Sequence, residues 1–277
     1  MYKVALTGAT GMVGSRIVEL LRSEFEFINL PQQQLDITNQ NQVWHTLLNL
    51  DFDFFLHLAA YTNVDRAESE QETAYKTNVI GTQNIFNVVK KKRKKMIYIS
   101  TGFVFDGKNP PFSEDSLPNP LGYYGKTKYE GERVLEHEAM IIRFDYPYRQ
   151  EFAAKKDFVR TIKSLLEQNL PLKMVIDSTM TPTFIDDIAF GLRYLIQNYT
   201  PEVFHLVGAD SLSPYSAAQL IAHNFNLNID LIQPITYAQY SQNKAPRPQY
   251  STLISLKNKF WPMKTFNEGL KLLRNQL

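Results

Sequence analysis

The sequence contains no cysteine. That one absence excludes disulfides, thiolate zinc sites, iron–sulfur clusters and cysteine nucleophiles. Net charge is nearly absent too: thirty Lys and Arg against twenty-eight Asp and Glu leave +2. No global field therefore asks for nucleic acid or an anionic membrane as partner. Long hydrophobic runs are missing, and the apolar stretches fall far short of the roughly 20 residues a helix needs to span a bilayer. A strand-like run begins at Tyr2, leaving no room for a signal or transit peptide, so a cytoplasmic protein is expected. Five scattered histidines show no ligand spacing, and no metal site is expected. What remains is ordinary for a globular chain, with 44% hydrophobic and 21% charged residues, far from a disordered composition. The 277 residues make one large domain or two small ones at about 150 residues each.

Short β-type runs alternate with longer helical ones. Strands are expected at residues 2–6, 25–30, 53–58, 96–101 and 139–144, with helices at 12–25, 39–50, 72–92 and 123–138. Such alternation argues for right-handed βαβ crossovers and a doubly wound parallel sheet of Rossmann type, covered on both faces. Beyond residue 150 the pattern predicts helices at 158–169 and 184–199 and strands at 172–176 and 202–207. A helix then opens at Ser213-Pro214, a cap followed by proline at the first helical position. A strand over 228–235 and a final helix from about Thr265 complete the chain. Residues 1–150 read as the dinucleotide-binding domain, with 184–200 returning to it. Residues 151–183 and 201–277 read as a smaller, interleaved α/β substrate lobe. The basic run 90–95 suits a solvated helix C-terminus, and the adjacent Asp186 and Asp187 suit a helix start.

Between the first strand and first helix lies Thr7-Gly8-Ala9-Thr10-Gly11-Met12-Val13-Gly14. Gly8 permits the tight turn, Gly11 lets the backbone approach a pyrophosphate, and Gly14 allows close helix–sheet packing. The helix N-terminus then offers free N–H groups and partial positive charge to the phosphates. No lysine-bearing phosphate loop is present, which counts against a kinase or ATPase. The end of the second strand, where a carboxylate favours NAD and an arginine NADP, holds Leu30-Pro31-Gln32-Gln33-Gln34 and decides neither. Arg16, just inside the first helix, is a candidate for a 2′-phosphate, though a surface arginine needs no such role.

Tyr124 and Lys128 lie four apart at a predicted helix start, hence on one face. Thr101 closes the preceding strand at the carboxyl edge, where ligands bind in open α/β sheets. Reducing a carbonyl requires a proton at its oxygen, and a tyrosine with pKa about 10 is a poor donor at neutral pH unless that value falls. An ammonium 4–5 Å away contributes about 3–4 kcal/mol at an effective dielectric of 20. That predicts a Tyr124 pKa lowered by about 2–3 units, before desolvation is subtracted.

With these motifs in place, the chain resembles the extended short-chain dehydrogenase/reductases and, more narrowly, the dTDP-4-dehydrorhamnose reductase family. The likeness runs through Leu35-Asp36-Ile37-Thr38, the block from Ala59 to Glu68, and Ile99-Ser100-Thr101 with Val104-Phe105-Asp106-Gly107. It continues through Asn119-Pro120-Leu121, Thr181-Pro182-Thr183, and Arg247-Pro248 with Ser251 and Leu253. The resemblance implies NADPH or NADH as cofactor, a nucleotide sugar as substrate, and the homodimer as an allowed assembly. It implies Tyr124 as proton donor, Lys128 as ribose ligand and tuner of Tyr124, and Thr101 as third member. Gly8, Thr10, Gly11, Met12, Val13 and Gly14 would hold pyrophosphate, Asp36 and Ile37 would flank adenine, and Ala59, Ala60 and Tyr61 would line the cofactor's path. Asn78 would support that backbone. Thr62, Val64, Gly102, Tyr146 and Arg247 fall where the family contacts its sugar nucleotide, and a guanidinium suits a diphosphate.

Three departures gather at the sugar end. Gly102 stands where the family usually has aspartate, Arg143-Phe144-Asp145-Tyr146 replaces an Arg-Thr-Ser-Trp-like stretch, and Tyr250 stands where asparagine usually precedes Ser251. The expected activity is reduction of a nucleotide-activated 4-keto-6-deoxysugar. Two alternatives stay open: a nucleotide-sugar 4-epimerase with the same three residues, and a non-catalytic binding protein like the regulatory subunit of methionine adenosyltransferase. A 4,6-dehydratase is disfavoured because Gly102-Phe103 offers no acidic pair, and a GDP-fucose synthase because it requires a cysteine.

Overall fold

A computed structural model of the chain describes residues 1–150 and 152–275. The larger body is a six-stranded parallel sheet in the order β2-β1-β3-β4-β5-β9, its last strand β9 being Val203–His205. Its first five strands are β1 (Tyr2–Thr7), β2 (Phe25–Leu30), β3 (Phe54–His57), β4 (Lys95–Thr101) and β5 (Met140–Phe144). All four β3 residues and the last four of β1 are buried, because helices cover both faces and leave no solvent side for polar alternation. On one face α1 (Met12–Leu21) packs beside α7 (Ile185–Gln197), through Ile17, Leu21, Ile188 and Leu192. The other face carries α2 (Gln40–Asn49), α4 (Gly81–Lys91) and α5 (Tyr123–Arg133), through Val43, Leu47, Ile85 and Val89. The strand order reverses between β1 and β3, so the crevice that binds ligands in such sheets opens where β1 and β3 end.

The expected helix over 72–92 is three pieces. The short α3 (Gln71–Tyr75) passes into a π-helical run, Lys76–Ile80, before α4 resumes regular winding. A π-bulge inserts an extra residue and redirects a side chain. Here Asn78 is turned inward, where its Oδ1 accepts from Tyr61 N–H at 2.8 Å and its Nδ2 donates to Thr127 Oγ1 at 2.9 Å.

From β5 the chain enters the smaller lobe through β6 (Pro147–Tyr148), which pairs with β8 (Thr183–Phe184). A second parallel pair joins β7 (Leu172–Val175) to β10 (Ile232–Ile235). Around a separate core of Tyr148, Ile162, Leu166, Phe184, Ile221 and Phe266 lie α6 (Phe158–Glu167), α8 (Pro214–Asn224) and α10 (Phe266–Asn275). Each has a sequence-encoded start: Asp157 accepts from Arg160 N–H, Ser213 from Ser216 N–H, and Thr265 and Glu268 cap reciprocally, satisfying otherwise orphaned donors. A further short helix, α9 (Tyr237–Ser241), has no counterpart in the periodicity. No described helix is long and apolar enough to cross a membrane.

One boundary needs correction. The segment 201–277 does not all belong to the smaller lobe. The strand β9 (Val203–His205) pairs with β5 at the edge of the large sheet, and Leu206, Val207 and Leu253 sit in the large core. The reason is non-local: the register of β9 is set by β5, about sixty residues earlier in the chain. Expected strand 228–235 likewise shortens, because Ile229–Leu231 form a 3₁₀ turn.

Arg16 also departs from expectation. It is buried, and its Nε and Nη2 donate to Asp186 at 2.7 and 2.6 Å while Nη1 meets Glu19. A guanidinium so committed is not available to a 2′-phosphate. It clamps α1 to α7, and the Asp186 carboxylate beside it raises its pKa further. Removing one partner of a buried ion pair leaves an uncompensated charge. An Arg16→Met variant should therefore lose about 3 kcal/mol of stability in urea unfolding, a typical cost for a broken buried pair.

Candidate active site

A cavity of about 720 Å³ starts at the glycine turn and runs along the carboxyl ends of β1, β3, β4 and β5. At its cofactor end Gly8 has φ +74°, a conformation that side chains resist. A Cβ on Gly14 would stand 2.3 Å from the Gly8 carbonyl oxygen. The helix can therefore start directly over the turn only because residue 14 lacks a side chain. Gly8, Thr10, Gly11, Met12, Val13 and Gly14 all face the cavity, as do Asp36, Ile37, Ala59 and Ala60. His57, beneath them, is satisfied between Thr7 Oγ1 at 2.7 Å and Thr82 Oγ1 at 3.1 Å, and burial holds its pKa near 3.

The other end collects Thr101, Tyr124 and Lys128. Thr101 ends β4 and caps a 3₁₀ turn, its hydroxyl accepting from Phe103 N–H at 3.3 Å. Tyr124 and Lys128 come from the first turns of α5, and all three side chains are buried. The Lys128 ammonium donates to Ile99 O at 2.8 Å and sits 4.0 Å above the Tyr98 ring.

The electrostatics correct the expectation for Tyr124. Burial pushes its pKa up to about 12, while a hydrogen bond with Thr101 opposes this and the Asp145 carboxyl adds to it. Burial also pulls Lys128 down to about 7, against the favourable pull of Glu132. The low-dielectric wall that makes a nearby cation effective also discharges that cation. Desolvation, the cost still to be subtracted from the Coulomb gain at Tyr124, exceeds that gain.

Four expected site residues do not line the cavity. Tyr61 donates its hydroxyl to Glu70 at 2.6 Å. Asn78 braces the backbone below, bonding both Tyr61 N–H and Tyr61 O. Gly102 is covered, since a Cβ there would stand 2.8 Å from Leu253 Cδ1. Arg247 is paired with Asp65 and also donates to Ala245 O and Tyr240 Oη at 3.1 Å each. Thr62, Val64 and Tyr146 do reach the cavity. Tyr146 has φ +39°, a strained conformation of the kind that clusters at ligand sites. Gln32 at the ribose end and Asp145 at the sugar end reach the cavity too, and Thr77, Lys155 and Lys156 line it without having been foreseen. Asp145 carried a legible signal, a carboxylate just past the carboxyl end of a central strand. The lysines follow no periodicity that would mark them.

The parallel sheet with its glycine turn, and Thr101, Tyr124 and Lys128 gathered beyond it, is the arrangement of an extended short-chain dehydrogenase/reductase. Residues 2–276 match the model for the RmlD substrate binding domain, and the chain belongs to that family. It is 31% identical over 270 residues to the dTDP-4-dehydrorhamnose reductase of Aggregatibacter actinomycetemcomitans, covering 91% of this chain and 90% of that one. It is 30% identical over 251 residues to methionine adenosyltransferase 2 subunit beta of Rattus norvegicus, covering 84% and 75%. The crystal structure of dTDP-4-dehydrorhamnose reductase from Bacillus anthracis in complex with NADP superposes with a TM-score of 0.92. The two are 29% identical, and the match covers 100% of this chain and 99% of that one.

Two outcomes follow from this geometry. Gly14→Ala forces the turn and helix apart and should weaken NADPH binding at least about tenfold in a fluorescence titration, since 1.4 kcal/mol of misfit suffices for that. Lys128 binds fewer protons folded than unfolded between its lowered pKa near 7 and its ordinary value near 10.5. Stability should therefore rise with pH across that window and be lost as pH falls through it. Lys128→Met should flatten that rise in denaturation curves collected from pH 6 to 10.

Proposed function

We propose that this protein reduces the carbonyl of a nucleotide-activated 4-keto-6-deoxysugar, with NADPH or NADH as reductant. The observation that carries this reading is the single cavity that runs from the glycine turn to Thr101, Tyr124 and Lys128. The fit to a dinucleotide rests on the turn itself: the space beside Gly8 and Gly14 admits no side chain, and the N-terminus of α1 aims free N–H groups at it. When bound, the reduced nicotinamide would supply a hydride, one hydrogen with two electrons, to the carbonyl carbon.

The chain's own residues do the rest. Gly8 to Gly14 hold the pyrophosphate, and Ala59 and Ala60 allow the dinucleotide to lie close to the sheet edge. Asp36 and Ile37 border the adenine. Thr101 donates a hydrogen bond to the substrate oxygen, and Tyr124 gives its phenolic proton to that oxygen as charge develops there. With its pKa near 12, Tyr124 holds its proton throughout the neutral range. Lys128, fixed by Ile99 O, reaches the ribose and returns positive charge to Tyr124 when protonated. Asn78 keeps the Tyr61 backbone in place and so acts as a positioning residue. Thr62, Val64 and Tyr146 border the sugar, and Arg247, held outside the cavity by Asp65, would reach a diphosphate only by leaving that pair. The homodimer and the cytoplasm belong to this same reading.

A binding role like that of a methionine adenosyltransferase subunit is the second reading. The relative of that name and the altered residues at the sugar end favour it; the complete set of Thr101, Tyr124 and Lys128 favours the reductase. A panel of dTDP-, UDP- and GDP-4-keto sugars followed by loss of coenzyme absorbance decides between them. Turnover is expected for at least one sugar, and Tyr124→Phe should cut kcat by about 10²–10⁴-fold, the usual contribution of a positioned acid, with coenzyme affinity unchanged. Turnover of none, with coenzyme bound, would favour the binding role. Because Leu30 to Gln34 present neither carboxylate nor arginine, NADPH and NADH should differ by less than about tenfold in kcat/KM, or 1.4 kcal/mol.

A further inference from the structure

One buried acid in the cavity has no part in the chemistry above. Asp145 follows β5 directly, lines the cavity and is 2% exposed. Its position is tied to Gly102 by the sheet. β4 and β5 run parallel with Thr101 opposite Phe144, so the residues that follow these two are neighbours as well. An ideal Cβ on Gly102 would lie 3.3 Å from Asp145 Cγ and 3.4 Å from its Oδ2. The Asp145 carboxyl thus fills the space a side chain at 102 would enter, and the missing side chain at 102 is what lets it be there.

The carboxyl is under-satisfied. An ionised carboxylate offers about four acceptor sites. Asp145 receives the Ser251 hydroxyl and the backbone N–H of Tyr146. Among the described residues no cation forms a salt bridge with it. The titratable groups that act on it and on its chain neighbour Tyr146 are Tyr124 on α5 and, through Tyr146, Tyr237, Tyr240 and Arg247. Burial accordingly raises its pKa to about 7. What it lacks is hydroxyl donors from the cavity side, and a hexose ring carries several.

We infer that Asp145 is a specificity-determining residue that accepts hydrogen bonds from hydroxyls of the substrate's sugar ring beside the reacting carbonyl. This rests on the nucleotide-sugar reading of the cavity, but not on turnover. Hydroxyl donors stabilise the ionised carboxyl, so sugar binding lowers its pKa and releases protons near pH 7. The nucleoside diphosphate alone does not reach Asp145 and releases none there.

The test compares wild type with Asp145→Asn, an isosteric change that retains an acceptor for Ser251, by titration calorimetry in the presence of NADP. The probes are dTDP and dTDP-rhamnose, each in two buffers of different ionisation enthalpy. Wild type should bind dTDP-rhamnose with proton release at pH 7. Asp145→Asn should bind dTDP within twofold of wild type, bind dTDP-rhamnose at least tenfold more weakly, and show no proton release. Equal weakening for both probes would mean a merely structural carboxyl and would overturn the assignment, as would unchanged sugar affinity. If wild type prefers UDP- or GDP-hexoses, the same comparison uses that nucleotide and its hexose. Wild type that binds sugar nucleotides but oxidises no coenzyme would sink the reductase reading alone, and wild type that binds none would sink both.

Discussion

The structure depends first on how closely its backbone can approach itself at the head of the sheet. Gly8 lies against Leu58 and Ala59 at the end of β3, and Gly14 lies against the Gly8 carbonyl. These contacts bring the start of α1 down onto the crevice between β1 and β3, where the strand order reverses. A methyl group at either place would push the helix away, and with it the free N–H groups that a phosphate needs. The cavity, the direction of α1 and the clamp to α7 through Arg16 and Asp186 all follow from this one close approach.

At the far end of the cavity a different constraint rules, desolvation. Tyr124 and Lys128 are both buried, and burial drives their pKa values apart, up for the phenol and down for the ammonium. Asp145 sits within the same wall and is raised for the same reason. Three ionisable groups held near their neutral forms make a chamber in which a ligand's own charge and hydroxyls decide who carries a proton. That is a chemical consequence of packing rather than of any pairwise contact.

Much of this could be read along the chain. The parallel sheet showed in the alternation of apolar runs, the glycine turn in its place between strand and helix, and the helix starts at Ser213 and Thr265 in their capping residues. Less could be read where contacts are remote. The π-helical turn that aims Asn78 at Tyr61 interrupts a stretch whose periodicity looks continuous. Arg16 reads as a surface residue until α7, some 170 residues later, supplies Asp186. Gly102 and Arg247 resemble site residues by motif, but Leu253 and Asp65, far off in sequence, hold them out of the cavity, while Tyr61 is turned to Glu70 nine residues on.

Local sequence by itself determined the kind of protein this is, because strands, turns and caps are set by backbone sterics and hydrogen bonding among near neighbours. Membership of the RmlD family over residues 2–276 belongs to the same level, since it is a property of the sequence. Only the tertiary structure decided which acid is buried against Gly102 in the cavity wall. Gly102 and Asp145 are 43 positions apart in sequence, and it is the β4–β5 register that sets one beside the other, turning a missing side chain into room for a buried carboxyl.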